Sequence, residues 1–210
     1  VLIQILSLYR KECNNADHNS KYLIMRIFFT DWNSYNSGLQ MTAGEWLIID
    51  NFTDGEDVIC HINKMWKKWD LDYPLDCPRE ELLISDSEDL PGDMGRKEFL
   101  SESDFDFLVQ YGELSEDDRE KVDVVMATTS NDLRNALENY EDVSCLEISE
   151  GDFQHLGEDL AGNEIDCYPD VPEFFIQNFD YKGYGWEAAN HWPSIQVVNG
   201  QYWNVPCLDR

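Results

Sequence analysis

Positive charge is what this 210-residue sequence has least of: 15 lysines and arginines stand against 43 aspartates and glutamates, a formal net charge of −28. Binding to nucleic acid or to an anionic membrane rests on lysine and arginine neutralising phosphate, so this shortage excludes both as direct partners. Histidine is scarce too. His18, His61, His155 and His191 lie far apart with no HExxH pair among them, which removes the commonest zinc-hydrolase signature. The six cysteines are scattered without a single CxxC pair, so no zinc pattern is present, and the default is reduced thiols rather than a disulfide framework. P-loop, GxGxxG and GxSxG motifs are all missing, which leaves no nucleotide-binding or nucleophile-elbow chemistry to argue from. The one early apolar run, VLIQILSLY, is followed by Arg10 and Lys11 rather than preceded by them. That order does not fit a signal peptide, and the run is too short to cross a bilayer.

What is present is a foldable chain. Hydrophobic residues make up 42% and aromatics 13%, with seven Trp, ten Tyr and ten Phe spread from end to end. Acidic disordered tails lack aromatics. The fold class expected is α+β, elongated, with a small antiparallel-sheet-plus-helix N-terminal unit, an acidic helical middle, and C-terminal helices closed by a β-hairpin. Residues 1–24 are expected to be an extension or flexible arm before Met25. Residues 25–97 are expected to form the N-terminal α+β unit, residues 98–148 the acidic helical part, and residues 149–210 the C-terminal α+β part.

Local signals support that outline. MRIFFTDW and GEWLIID read as strands separated by the turn-prone NSYNSG. Thr53 and Glu56 form a capping box ahead of a helix carrying Val58, Ile59, Ile62, Met65, Trp66 and Trp69 at helical spacing, with Lys64, Lys67 and Lys68 late in it. EELLISDS supplies a third strand after a loop bracketed by Pro74 and Pro78. Between about Phe99 and Asp170 the pattern predicts only short helices. Phe105, Leu108 and Val109 line the first, with Gly112 as its C-cap. Ser115 caps the second, which buries Val122, Val125 and Met126. Asp132–Tyr140 is the third, and Phe153, Leu156 and Leu160 before Gly162 mark the fourth. A helical stretch over 180–190 leads to SIQVV, then Asn199-Gly200, then QYWNV, a strong hairpin signal.

The distribution of charge separates three readings: polyanion mimicry, metal binding, and general acidity of the halophilic kind. Residues 1–97 hold 17 acids and 10 bases, residues 98–180 hold 24 acids and 3 bases, and residues 181–210 hold two of each. Halophilic acidity spreads over all surfaces, whereas mimicry needs concentration. Duplex DNA carries one negative charge per roughly 1.7 Å of axis, so a segment of net −21 matches about 36 Å of duplex, roughly one helical turn. Carboxylates at i and i+4 on one helix stand about 6 Å apart; several helices must therefore present acids together. The candidates are Glu113, Glu116, Asp117, Asp118, Glu120, Asp123, Asp132, Glu138, Glu141, Asp142, Glu147, Glu150, Asp152, Glu158 and Asp159. Metal binding has less behind it: DSEDLPGD over Asp86–Asp93 lacks the spacing and terminal Glu of an EF-hand loop, and His155 with Glu158 is a two-residue pair.

In the order of its blocks the sequence resembles the ArdA antirestriction family. RIFFTDWNSYNSG leading to GEWLIID is similar to that family's opening strand, Tyr-Asn turn and Gly-Glu-Trp strand. EELLISDSEDLPG, the acidic stretch from FLVQYGELSEDDREK to NALENYEDV, FFIQNFDYKGYGWEAA, and VVNGQYWNV follow in the family's order, covering most of residues 25–205. The sequence departs in a near-balanced last helix (Lys182, Glu187), in Trp69–Pro78, which looks like an insertion, and in the first 24 residues. The resemblance implies an elongated three-part homodimer, joined through its C-terminal portion, that occupies the DNA groove of Type I restriction–modification enzymes. It implies a cytoplasmic protein carried on mobile genetic elements, with no cofactor, no metal, no catalytic residue and no bound nucleic acid or membrane. The alternative reading is an acidic binding module for cations or another basic protein, and a carboxylate-dependent hydrolase ranks third.

Overall fold

A computed structural model describes residues 24–166 and 171–209. The expected arm over 1–24 falls almost wholly outside them. The architecture is mixed α+β: two three-stranded antiparallel sheets and eight α-helices among the described residues.

β1 (Arg26–Asp31) is the middle strand of the first sheet, between β2 (Glu45–Ile48) and β3 (Leu82–Glu88). Ile27 and Phe29 point into the core while Arg26 faces solvent, the period-two pattern of a half-buried strand. NSYNSG is not wholly a turn. Asp31 caps a short helix, α1 (Trp32–Asn36), by accepting the Ser34 amide at 2.9 Å, and the chain turns only afterwards, at Gly38 with φ +72°.

α2 (Gly55–Asp72) buries Val58, Ile62 and Trp69, with Ile59, Met65 and Trp66 packed beside them. Its cap is Asp54, which accepts the Asp57 amide at 2.7 Å, and not Thr53. A carboxylate at this position satisfies a free amide and complements the helix dipole. The start is also set by Gly55, whose Cα lies so close to the Glu102 carbonyl that a Cβ there would come within 2.1 Å of it.

Arg79 fastens this region together. Its side chain and that of Asp31 are both fully buried and meet at 2.8 Å. Nη1 also donates to the Ser34 hydroxyl, Nε donates to Asp70 at 2.9 Å, and Nη2 donates to the carbonyls of Tyr73 at 2.6 Å and Trp69 at 3.3 Å. One guanidinium thus links β1, α1 and the C-terminal end of α2.

α3 (Glu102–Glu113), α4 (Glu116–Thr128) and α5 (Leu133–Asn139) follow, capped by Ser101, Ser115 and Asp132. Phe105, Leu108, Val122, Val125 and Leu133 are wholly buried. Gly112 does not end α3. It lies inside the helix, where a Cβ would approach Asp50 Oδ1 to 3.0 Å, and Leu114 takes the cap position.

The all-helical expectation for 99–170 fails at β4 (Ser144–Ser149). This strand pairs with β6 (Gln201–Asn204), which also pairs with β5 (Ile195–Val198), giving the order β4–β6–β5. Its partner is more than fifty residues away, so local pattern carried little of the signal. The β5–β6 turn is as expected: Asn199 and Gly200 take φ +53° and +77°, the two positive values a type I′ hairpin requires.

α6 (Phe153–Asp166), α7 (Glu173–Gln177) and α8 (Tyr181–His191) complete the fold. Gly162 lies within α6 rather than beyond it. α6 and α8 cross at glycines on both sides: a Cβ on Gly157 would lie 1.8 Å from the Tyr181 carbonyl oxygen, and one on Gly185 2.0 Å from that of Phe153.

A large apolar cluster runs from Met25, Ile27 and Phe29 through Phe105, Val125 and Leu133 to Val143, Trp203 and Val205. Residues from all three of the expected segments contribute to it. A smaller cluster of Leu156, Ala188, Ile195 and Tyr202 sits under α6, α8 and the second sheet.

Breaking a buried ion pair by removing one partner leaves an uncompensated charge and costs about 3–5 kcal/mol. Arg79→Met is therefore expected to lower stability in urea by about 3–5 kcal/mol, and Arg79→Met/Asp31→Asn to recover part of the loss by discharging the stranded carboxylate. Equal stability of Arg79→Met and the unsubstituted protein contradicts the clamp.

Candidate functional site

The acids singled out from the sequence lie on consecutive elements from the end of α3 to α6. Ser115 caps α4, so Glu116, Asp117 and Asp118 occupy its first turn, where the positive end of the helix dipole favours carboxylates. Glu120 and Asp123 follow on the same helix, Glu141 and Asp142 sit in the 3-10 turn after α5, and Glu147 and Glu150 lie on and just beyond β4. Glu147 takes φ +55° at the irregularity in the β4–β6 register between Cys145 and Ser149.

Two classes emerge. Glu113, Glu116, Asp117, Glu120, Glu141, Glu147, Glu150 and Asp159 are exposed and form no side-chain hydrogen bond or ion pair among the described residues. The others are engaged within the fold. Asp118 accepts the Ser115 hydroxyl at 2.8 Å and pairs with Lys121 at 3.4 Å. Asp123 accepts the Tyr111 hydroxyl at 2.9 Å, and Asp132 caps α5. Glu138 pairs with Arg134 at 3.1 Å, Asp152 with His155 at 2.6 Å, and Glu158 accepts from Gln154 at 2.6 Å. Asp142 also has a partner.

The structure groups some of these acids and adds others. A cavity of about 530 Å³ lies between α4, the tip of the β5–β6 hairpin and the start of β1, and brings Glu116, Glu120 and Asp123 together with Asp89. A second groove of about 410 Å³ sets Glu113 beside Glu141, across Leu114, Leu137 and Tyr140. Asp132 and Glu138 line neither of these. Asp89 lies outside the acids read as phosphate mimics because it precedes α4 by more than twenty residues; its local marks are its place in the acidic DSEDLPGD turn and a φ of +58° there. Arg119, also in the cavity wall, was missed. It donates to the carbonyls of Tyr111 at 3.1 Å and of Gly112, closing the C-terminal end of α3 and holding α4 against it. A single arginine inside SEDDREK was the available signal for such a clamp.

Protonation follows this packing. The Ser115 hydroxyl, with lesser help from Lys121, holds Asp118 below the usual carboxylate range, and the His155 hydrogen bond does the same for Asp152. That contact raises His155 in turn. Asp123 keeps surface in solvent but lies against the cavity wall, and loss of hydration pushes its carboxyl up. The Tyr111 hydrogen bond and Arg119 oppose the shift, and Glu120 adds to it. Dehydration likewise raises Asp50, against Arg119.

Other sequence candidates resolve differently. In the calcium-like turn, Asp86 accepts the Ser87 amide at 2.8 Å, Glu88 pairs with Arg26, Asp93 pairs with Lys97 at 3.4 Å, and the Asp93 amide donates to the Asn131 carbonyl at 3.1 Å. The turn thereby docks the first sheet onto the α4–α5 connection. Among the described residues, no group of three or more His, Cys, Asp or Glu is placed to hold a metal ion, and no helix is long and apolar enough to cross a membrane.

Because the Asp123 pKa is raised by the fold, the stability it contributes is complete below the ordinary value of 3.8 and is lost as pH rises through the elevated one. Asp123→Asn keeps an acceptor for Tyr111 and removes the charge. Its Tm is expected to exceed that of the unsubstituted protein at neutral pH, with the difference closing as pH falls toward 3.8. A Tm gap that does not change with pH contradicts this assignment.

The chain has no significant match among curated proteins. Residues 27–203 match the family model for antirestriction protein (ArdA). That span takes in both sheets but for Arg26 and Asn204 at their margins, every α-helix of the described residues and all the candidate acids. An ordered fold with its uncompensated carboxylates turned outward is thus joined to a family match over most of its length: the chain belongs to the ArdA family of antirestriction proteins.

Proposed function

We propose that this protein inhibits a Type I restriction–modification enzyme by presenting a B-DNA-like array of carboxylates to the enzyme's DNA-binding surface, in the cytoplasm and without catalysis. The observation that carries the reading is the joint concentration and exposure of acid. Residues 98–180 hold 24 acids against 3 bases, and eight of the candidate carboxylates face solvent without a hydrogen bond or ion pair among the described residues. Each can stand for a backbone phosphate and meet a lysine or arginine that grips DNA, releasing bound counterions as DNA itself does. Many weak contacts of this kind make affinity high in sum and insensitive to any single one.

The working unit in this reading is a homodimer joined through the C-terminal portion. Phe174, Phe175, Phe179 and Trp186 on and around α7 and α8 are all exposed, Phe174 by 69% and Phe175 by 63%. Large apolar groups clustered on a surface mark an interaction site. Sedimentation of the purified protein is expected to give a dimer, and of Phe174→Ser/Phe175→Ser a monomer with the fold intact; a monomeric unsubstituted protein rules out this assembly.

The decisive test of mimicry uses acids without structural partners. Asp117→Asn alone is expected to leave inhibition of purified enzyme nearly unchanged. Combined amide substitution of Glu113, Glu116, Asp117, Glu120 and Glu141 is expected to weaken binding and flatten its salt dependence, by up to about 0.9 in the log–log slope for each carboxylate neutralised. Added duplex DNA is expected to displace the protein, and phage plating on a strain with an active Type I system to rise when it is expressed. A ternary complex holding enzyme, DNA and this protein refutes the mechanism, as does one carboxylate whose loss abolishes inhibition in a folded protein.

A further inference from the structure

Asn199 and Gly200 form the tip of the β5–β6 hairpin and are the only Asn-Gly dipeptide in the chain. Both are exposed, both take positive φ, and a Cβ built on Gly200 would meet nothing within 4 Å. The space beside the peptide that follows Asn199 is therefore open, with no side chain on Gly200 to obstruct it. Every other asparagine in the chain is followed by a residue that carries a side chain. Asn199 is also part of the wall of the cavity that holds Asp89, Glu116, Glu120 and Asp123.

We propose that Asn199 is a site of spontaneous deamidation, a modification that places one more carboxylate in the acidic cavity. Asparagine is among the thermally labile side chains. The Gly200 backbone nitrogen gives its proton to water or hydroxide and attacks the Asn199 Cγ. A C–N bond forms, the bond from Cγ to the side-chain nitrogen breaks, and that nitrogen takes up a proton and leaves as ammonia. Water then opens the five-membered succinimide at either carbonyl, leaving aspartate or isoaspartate at position 199. Water is the sole co-reactant, and nothing is oxidised or reduced.

Both products act on the fold. Each adds a negative charge to a cavity where Arg119 is the cation in the wall. Isoaspartate also lengthens the main chain by one carbon, in a turn whose two residues set the pairing of Val198 with Gln201. The Glu150 amide donates to the Gly200 carbonyl at 2.9 Å, so a distorted tip also loosens the connection leaving β4. The site does not depend on the proposed inhibition, since it rests on the hairpin alone.

The test ages the full folded chain at physiological temperature and mildly alkaline pH, with peptide mapping by mass spectrometry and enzymatic methylation of isoaspartate at intervals. The same chain unfolded in urea is the reference. The expected result is the mass gain of amide-to-acid conversion at position 199 ahead of every other asparagine in the folded chain, with both products present and a lowered Tm. Asn199→Asp is expected to reproduce the charge effect by itself: a lowered Tm at low salt, recovered at physiological salt as screening shortens. Persistence of the amide at 199 in the folded chain, while the unfolded chain converts, overturns the proposal. Full conversion with unchanged Tm and salt response overturns its consequence for the fold.

Discussion

Self-repulsion among acids is the constraint to which the rest of this structure answers. A formal charge of −28 on 210 residues works against any compact state, so the fold needs an apolar cluster that reaches under the acidic helices and not only beneath the first sheet. Val122, Val125 and Leu133 meet that need, since they lie fully buried beneath the helices whose outer faces carry the carboxylates. The second device is the placement of the few cations. Arg79 is buried against Asp31, Arg119 closes the carbonyl end of α3, Lys97 bridges Asp93 and Asp104, and Lys121 and Arg134 each hold one nearby acid. Lys64, Lys67 and Lys68, by contrast, stay exposed on α2, with Lys64 and Lys67 lining a groove beside Glu56 and Glu102.

The acids themselves divide the labour. Asp31, Asp54 and Asp132 cap helices, Asp104 completes a capping box with Ser101, and Asp118 returns the Ser115 contact at the start of α4. In such positions a carboxylate stabilises the fold by satisfying amides at a helix's positive end. Charge density alone does not identify which carboxylates are free to meet a partner. Geometry separates Asp118 and Asp132, committed within the chain, from Glu116 and Asp117 beside them.

Elements whose signals are local were legible in the sequence: the strand over Arg26–Asp31, the amphipathic α2, the Ser115 cap and the Asn-Gly hairpin. Those decided by distant partners were not. β4 exists because β6 supplies its hydrogen bonds from the far end of the chain, and half-buried Cys145, Leu146 and Ile148 do not by themselves distinguish helix from strand. Gly112 and Gly162 looked like helix ends because glycine usually marks one; both lie within helices instead, and for Gly112 the crowding by Asp50 supplies the reason. The acidic segment was evident from composition, but its grouping was not. Asp89 enters the cavity only because the turn after β3 is docked on Asn131, a contact that no periodicity encodes.

The pairing of β4 with β6 also bears on time. Glu147 and Glu150 flank the end of a strand whose hydrogen-bonded neighbour among the described residues is made from Gln201–Asn204. Chains emerge from synthesis N-terminus first and close long-range pairings late. The first sheet and the helices packed on it can assemble while the ribosome is still at work, but these two acids have no template until the β5–β6 hairpin has emerged. A nascent chain therefore carries the charge of Glu147 and Glu150 before it carries the strand pairing that arranges them.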